Sequence, residues 1–164
     1  MNIVMMKIRE VVRLIVKAAD GIKLKQRRSS LEFGELLGYA TCLSVIRDEF
    51  LSEKDKKAVG IDFDPDVRYL GMKPQEYEEE PEEEDEELCK TETAMAIAKD
   101  IVVLVTEYAD DNMNRTNPDD VAIGEILGYA ACLRIIREVF YEDRKKIGLD
   151  FNPDDRYMNI KVKK

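Results

Sequence analysis

The block Gly34-Glu35-Leu36-Leu37-Gly38-Tyr39-Ala40-Thr41-Cys42-Leu43-Ser44-Val45-Ile46-Arg47-Asp48-Glu49-Phe50 recurs ninety positions later as Gly124-Glu125-Ile126-Leu127-Gly128-Tyr129-Ala130-Ala131-Cys132-Leu133-Arg134-Ile135-Ile136-Arg137-Glu138-Val139-Phe140, with eleven of seventeen residues identical. An internal repeat of this kind constrains architecture before any local propensity does, because each copy must fold as the same unit. A second matched block follows each copy. Gly60-Ile61-Asp62-Phe63-Asp64-Pro65-Asp66-Val67-Arg68-Tyr69-Leu70 agrees with Gly148-Leu149-Asp150-Phe151-Asn152-Pro153-Asp154-Asp155-Arg156-Tyr157-Met158 at seven of eleven positions.

The expected fold is all-α: a tandem repeat of a unit with two long helices and a short third helix, packed as a pseudo-two-fold helical bundle. Val4, Ile8, Val11, Val12, Ile15, Val16 and Ala19 recur at helical spacing, and Ile97, Ile101, Val102, Leu104, Val105 and Ala109 echo them. These first helices run into polar loops, Asp20 to Ser30 and Asp110 to Asp120. Ser29 or Ser30, and Asp119 or Asp120, are the N-cap candidates for the second helices. The second helices are expected to run to about Lys57 and Lys146 and to stop at Gly60 and Gly148. Asp64-Pro65 and Asn152-Pro153 then read as an N-cap followed by proline at the first helical position, which starts the short third helix.

Charge divides the chain into a first helical repeat (1–73), an acidic linker (74–92) and a second helical repeat (93–164). The three parts carry formal charges of +3, -10 and -2, which together make the net -9. Eleven carboxylates and one lysine occupy the linker, which is too charged to form a core and reads as solvated. There is no histidine, so the commonest general base and the usual nucleophile pairs are missing. The three cysteines match no disulfide framework or zinc-ligand spacing. These features point to a cytoplasmic, non-catalytic protein with no cofactor, no metal and no membrane association; a stretch of roughly 20 apolar residues is lacking.

Gly34, Gly38, Gly124 and Gly128 lie inside the second helices. A glycine there costs about 1 kcal/mol relative to alanine, so two in each copy imply that another backbone comes close. Either the two second helices cross at these glycines, or each pair receives the first helix of its own repeat. A phosphate-binding role is disfavoured because the glycines sit within the helix rather than before it. Cys42 and Cys132 read as small buried residues. Glu35 and Glu125 fall between the tyrosine and cysteine of their own repeats on the helical wheel, where a buried carboxylate needs a partner. Arg68 and Arg156, on the third helix, are the expected partners in a Glu-Arg clamp. Asp62-x-Asp64-x-Asp66 and Asp150-x-Asn152-x-Asp154 imitate the start of a calcium loop, but position six is Val67 or Asp155 and position twelve is Lys73 or Lys161. Capping explains the same residues.

Function is expected where the copies differ. Glu78, Glu79, Glu80, Glu82, Glu83, Glu84, Asp85, Glu86 and Glu87 are the candidate partner-binding acids, together with Lys23, Lys25, Arg27 and Arg28 of the basic first loop. The Leu-Gly-Tyr and Asp-Phe signatures resemble those of small helical proteins from bacterial phages and mobile elements, a resemblance that covers only these short motifs. The leading expectation is a protein-interaction module that presents the acidic segment to a basic, nucleic-acid-binding protein partner, in its narrower form an anti-CRISPR-like or DNA-mimic inhibitor. One alternative is an all-α nucleotide pyrophosphohydrolase holding magnesium with carboxylates from bundle helices; such a site requires several acids on one inward helix face, and Glu35 with Asp48 or Glu49 does not supply that cluster. Another is a nucleic-acid binder using residues 23–28, which the acidic segment disfavours. Exchange of repeats between two chains would make a homodimer.

Overall fold

The structure, a computed structural model, describes residues 1–74 and 87–159. Among the described residues there are seven helices: α1 (Ile3–Lys23), α2 (Ser30–Glu49), α3 (Glu53–Val59), α4 (Pro65–Leu70), α5 (Thr91–Met113), α6 (Asp120–Val139) and α7 (Pro153–Tyr157). The described residues contain no strand. No described helix is long and apolar enough to cross a membrane. The bundle is built on α1, α2, α5 and α6. The pairs α1/α2 and α5/α6 pack as neighbours, α2 also touches α5, α1 also touches α6, and the most extensive contact joins α2 to α6.

Helix starts follow from side-chain caps. Ser29 accepts from the Glu32 amide at 3.1 Å while Glu32 accepts from the Ser29 amide at 3.0 Å, closing a capping box at the head of α2. Asp119 does the corresponding work for α6, accepting from Ala122 N at 2.8 Å. Asp64 and Asn152 cap α4 and α7 with Pro65 and Pro153 in the first turn. Gly60 and Gly148 adopt φ of 80° and 86°, the left-handed region that favours glycine after a helix.

The second helices end earlier than their apolar pattern suggests. Instead of continuing to Lys57, α2 stops at Glu49, and Phe50 takes an extended conformation with its ring buried. Ser52 then opens the separate helix α3 by accepting from Asp55 N at 3.0 Å. In the other half α6 stops at Val139, and residues 140–148 form successive turns. Burial of Phe50 and Phe140 offers a physical reason: each ring is 1% exposed, which requires the chain to bend inward where a straight helix would carry on along the surface. The first helices, by contrast, extend past Asp20 and Asp110, so Lys23 is the last residue of α1 rather than part of a loop. Helix α5 begins at Thr91, inside the span assigned to the linker.

One apolar cluster takes residues from α1, α2, α5 and α6, and from the segments around Ile61 and Leu149. Ile8, Val11, Ile46, Ala98, Ile101, Ile136 and Phe140 meet around a void of only about 10 Å³, so the four long helices close on one another without a usable cavity.

Candidate functional site

The α2/α6 seam decides where every other group lies. A Cβ placed on Gly38 would stand 2.7 Å from the Glu125 carbonyl oxygen and 2.9 Å from Gly128 Cα, and one on Gly128 would stand 2.6 Å from the Glu35 carbonyl oxygen. One turn earlier, Gly34 abuts the backbone of Val121, and Gly124 abuts those of Leu31 and Glu35. Position 34 thus faces 124 and 38 faces 128, so α2 and α6 run in the same direction at backbone contact. Of the two arrangements open to the glycine pairs, the crossing of the second helices is the one formed.

Cys42 and Cys132 follow one turn beyond, fully buried as free thiols. Burial is the main cause that pushes the Cys132 thiol above its ordinary value, and the Cys42 thiol adds to it. A thiol so placed is held protonated and unreactive. Beside the seam, Tyr39 donates to Glu35 at 2.9 Å and Tyr129 to Glu125 at 3.4 Å, while the buried Asn112 donates to Glu125 at 2.8 Å. Tyr39 and Tyr129 are pushed upward, first by burial.

The expected Glu-Arg clamp is not the one formed. Arg68 pairs with Asp20 at 3.0 Å and Arg156 with Asp110 at 2.7 Å, and the hydroxyls of Tyr69 and Tyr157 donate to the same two aspartates at 3.0 and 2.8 Å. The third helices α4 and α7 are therefore tied to the ends of α1 and α5, not to α2 and α6. Glu35 and Glu125 have phenol and amide donors instead of guanidinium partners. The sequence did hold the signal: Asp20 and Asp110 are themselves repeat equivalents, each after an alanine. Their position reads as loop in the sequence, whereas α1 and α5 extend past them.

Among the partner-binding candidates, Glu78, Glu79, Glu80, Glu82, Glu83, Glu84, Asp85 and Glu86 lie outside the described residues; Glu87 is described and exposed. The return of the acidic segment is well defined. Cys89 donates its amide to Asp55 at 2.9 Å and its carbonyl accepts from Asn2 Nδ2 at 2.7 Å, while Asn2 also caps α1. On its other side the segment leaves from α4, whose C-cap Gly71 has φ 65°. The basic residues are partly engaged within the chain. Lys25 pairs with Glu32, Arg28 donates to the Lys23 carbonyl at 3.2 Å, and Lys23 lies over the Tyr69 ring at 5.8 Å. Arg27 is exposed.

One concavity carries no mark in the sequence. It is a cleft of about 270 Å³ between α2 and the turn around α4, lined by Ser44, Arg47, Asp48, Asp64, Asp66 and Lys73 with Pro65, Val67 and Met72. Ser44 donates to Asp66 at 3.4 Å, and Asp64 caps α4. The Asp66 carboxyl is pushed above its ordinary value, by burial first and then by the neighbouring Asp64. Among the described residues the buried Arg47 Nε meets no hydrogen-bond partner, and neither does that of Arg137, its repeat equivalent. Among the described residues no group of three or more histidine, cysteine, aspartate or glutamate side chains is arranged to hold a metal ion. Comparison with protein-family models, with curated proteins and with solved structures gives no match to this chain.

Proposed function

We propose that this protein is a non-catalytic interaction module whose helical body presents the acidic segment to a basic, nucleic-acid-binding protein. The observation that carries the reading is the partition of charge: eleven carboxylates crowd residues 74–92, while the flanking parts are close to neutral. A segment of this density competes electrostatically for surfaces that otherwise hold phosphates. Its use as a presented element is supported by the anchoring of Cys89 to Asn2 and Asp55, which returns the chain to the bundle just after the acids. In its narrower form the module is an inhibitor of the anti-CRISPR or DNA-mimic kind, encoded by a phage or mobile element and acting in the cytoplasm.

The body itself we read as two repeats related by a pseudo-two-fold axis between α2 and α6. Support comes from paired features: Gly38 against Gly128, Arg68 on Asp20 beside Arg156 on Asp110, and Asp64 capping α4 as Asn152 caps α7.

The test compares the native chain with a form in which the acids from Glu76 to Glu87 are changed to their amides. Basic nucleic-acid-binding proteins of the host should be retained by the native chain alone, with retention falling steeply as salt rises and with duplex DNA displacing them. Retention of the same proteins by both forms would overturn the reading.

A further inference from the structure

The two halves differ at one position in a way that exposes a binding site. Ser44 and Arg134 are repeat equivalents, as are Asp66 and Asp154. In the second half Arg134 reaches Asp154 with its guanidinium, at 3.4 and 3.5 Å from the two carboxylate oxygens. In the first half the short Ser44 touches Asp66 at 3.4 Å, and among the described residues no side chain fills the 270 Å³ cleft above it. We propose that this cleft is a guanidinium-binding site, occupied by an arginine side chain from the basic polypeptide partner.

Charge supports this assignment. Three carboxylates, Asp48, Asp64 and Asp66, face the cleft against two cations, Arg47 and Lys73. The second half carries the neutral Asn152 where the first has Asp64, yet it is the second half that supplies its own arginine. The second half in turn carries Asp155 where the first has Val67, so the carboxylates around the short helix are equal in number and the first half differs by one missing guanidinium. The Asp66 carboxyl is pushed above its ordinary value by burial first and then by Asp64. Arg47 does not speak against a second guanidinium, because its equivalent Arg137 is present in the half where Arg134 is already seated on Asp154. The cleft, about 270 Å³, has room for a guanidinium. A guanidinium forks onto a carboxylate with two parallel donors, and Asp66 is the carboxylate placed to receive it.

The proposal rests on the reading of a basic partner, but the site is testable without one. Acetyl-arginine-methylamide is titrated into the full chain and followed by amide chemical shifts, with the citrulline analogue as the neutral control of the same shape. Saturable shifts at Ser44, Asp64, Asp66 and Val67 are expected with arginine. They should be at least tenfold weaker in Asp66→Asn and in Ser44→Arg, which recreates the occupied second half. They should persist when the acids from Glu76 to Glu87 are amidated, so the site can stand even if the acidic-segment reading falls. Equal shifts with citrulline, shifts that survive both substitutions, or no saturable shift at the cleft would each overturn the assignment. The lysine analogue separates guanidinium recognition from general cation attraction: an equal affinity for lysine would refute a guanidinium site.

Discussion

Asp143 shows how a single carboxylate ties distant parts of the chain together. It accepts from Lys146 on its own turn and from Lys7 of α1, both at 2.8 Å, and Lys7 also lies over the Phe140 ring at 5.4 Å. These two ammonium groups hold the Asp143 carboxyl at about 2, below its ordinary 3.8. A depressed carboxylate contributes stability that is complete above its unfolded value and is lost as pH falls through the folded one. The native chain should therefore exceed Asp143→Asn in stability by up to about 1 kcal/mol near neutrality. That gap should close between about pH 4 and pH 2, as urea unfolding across the acid range would measure; a gap independent of pH would show that the ion pairs do not contribute. Nothing in the sequence near Asp143 announces Lys7, which stands 136 positions away. Asp20 is the opposite case: its recurrence as Asp110 was visible, and only its assignment to a loop hid its pairing with Arg68.

At the level of elements, the second helices are governed by what their glycines permit. Along α2, Leu36, Tyr39, Ala40, Leu43 and Ile46 are buried together with Gly34, Gly38, Cys42 and Val45. The sequence pattern could not say which backbone fills the glycine face, since a missing Cβ records close approach but not the identity of the neighbour. Gly38→Ala should destabilise the protein by about 3 kcal/mol, because its Cβ would press on the Glu125 carbonyl and Gly128 Cα rather than on a movable side chain. Gly21→Ala, in α1 with nothing within 4 Å of the added Cβ, should be neutral or stabilising by up to about 1 kcal/mol. Chemical denaturation of the two variants checks the contrast, and equal effects would contradict the seam as described. The early end of α2 is also instructive. Periodicity alone carried the helix toward Lys57, but burial of Phe50 and the Ser52 cap outweigh helical propensity over that stretch.

For the whole molecule, the decisive fact is that one apolar cluster draws on both halves. With α2 and α6 in backbone contact, neither half can open its inner face without exposing the other's. Heat or urea should therefore unfold the described body in one transition, with far-ultraviolet and tyrosine signals changing together; two separated transitions would show independent halves. By itself the sequence determined the helical class, the repeat, most caps and the concentration of acid between the copies. These depend on periodicity, on local side-chain-to-backbone hydrogen bonds and on composition, which a linear reading contains. Tertiary structure alone decided that α2 meets α6, that Arg68 and Arg156 close on Asp20 and Asp110, and that Ser44 stands beside a cleft while Arg134 reaches Asp154. Each of these depends on which surfaces are brought within a few ångströms of each other by burial of a shared core, and residues far apart in the chain carry no local mark of that encounter.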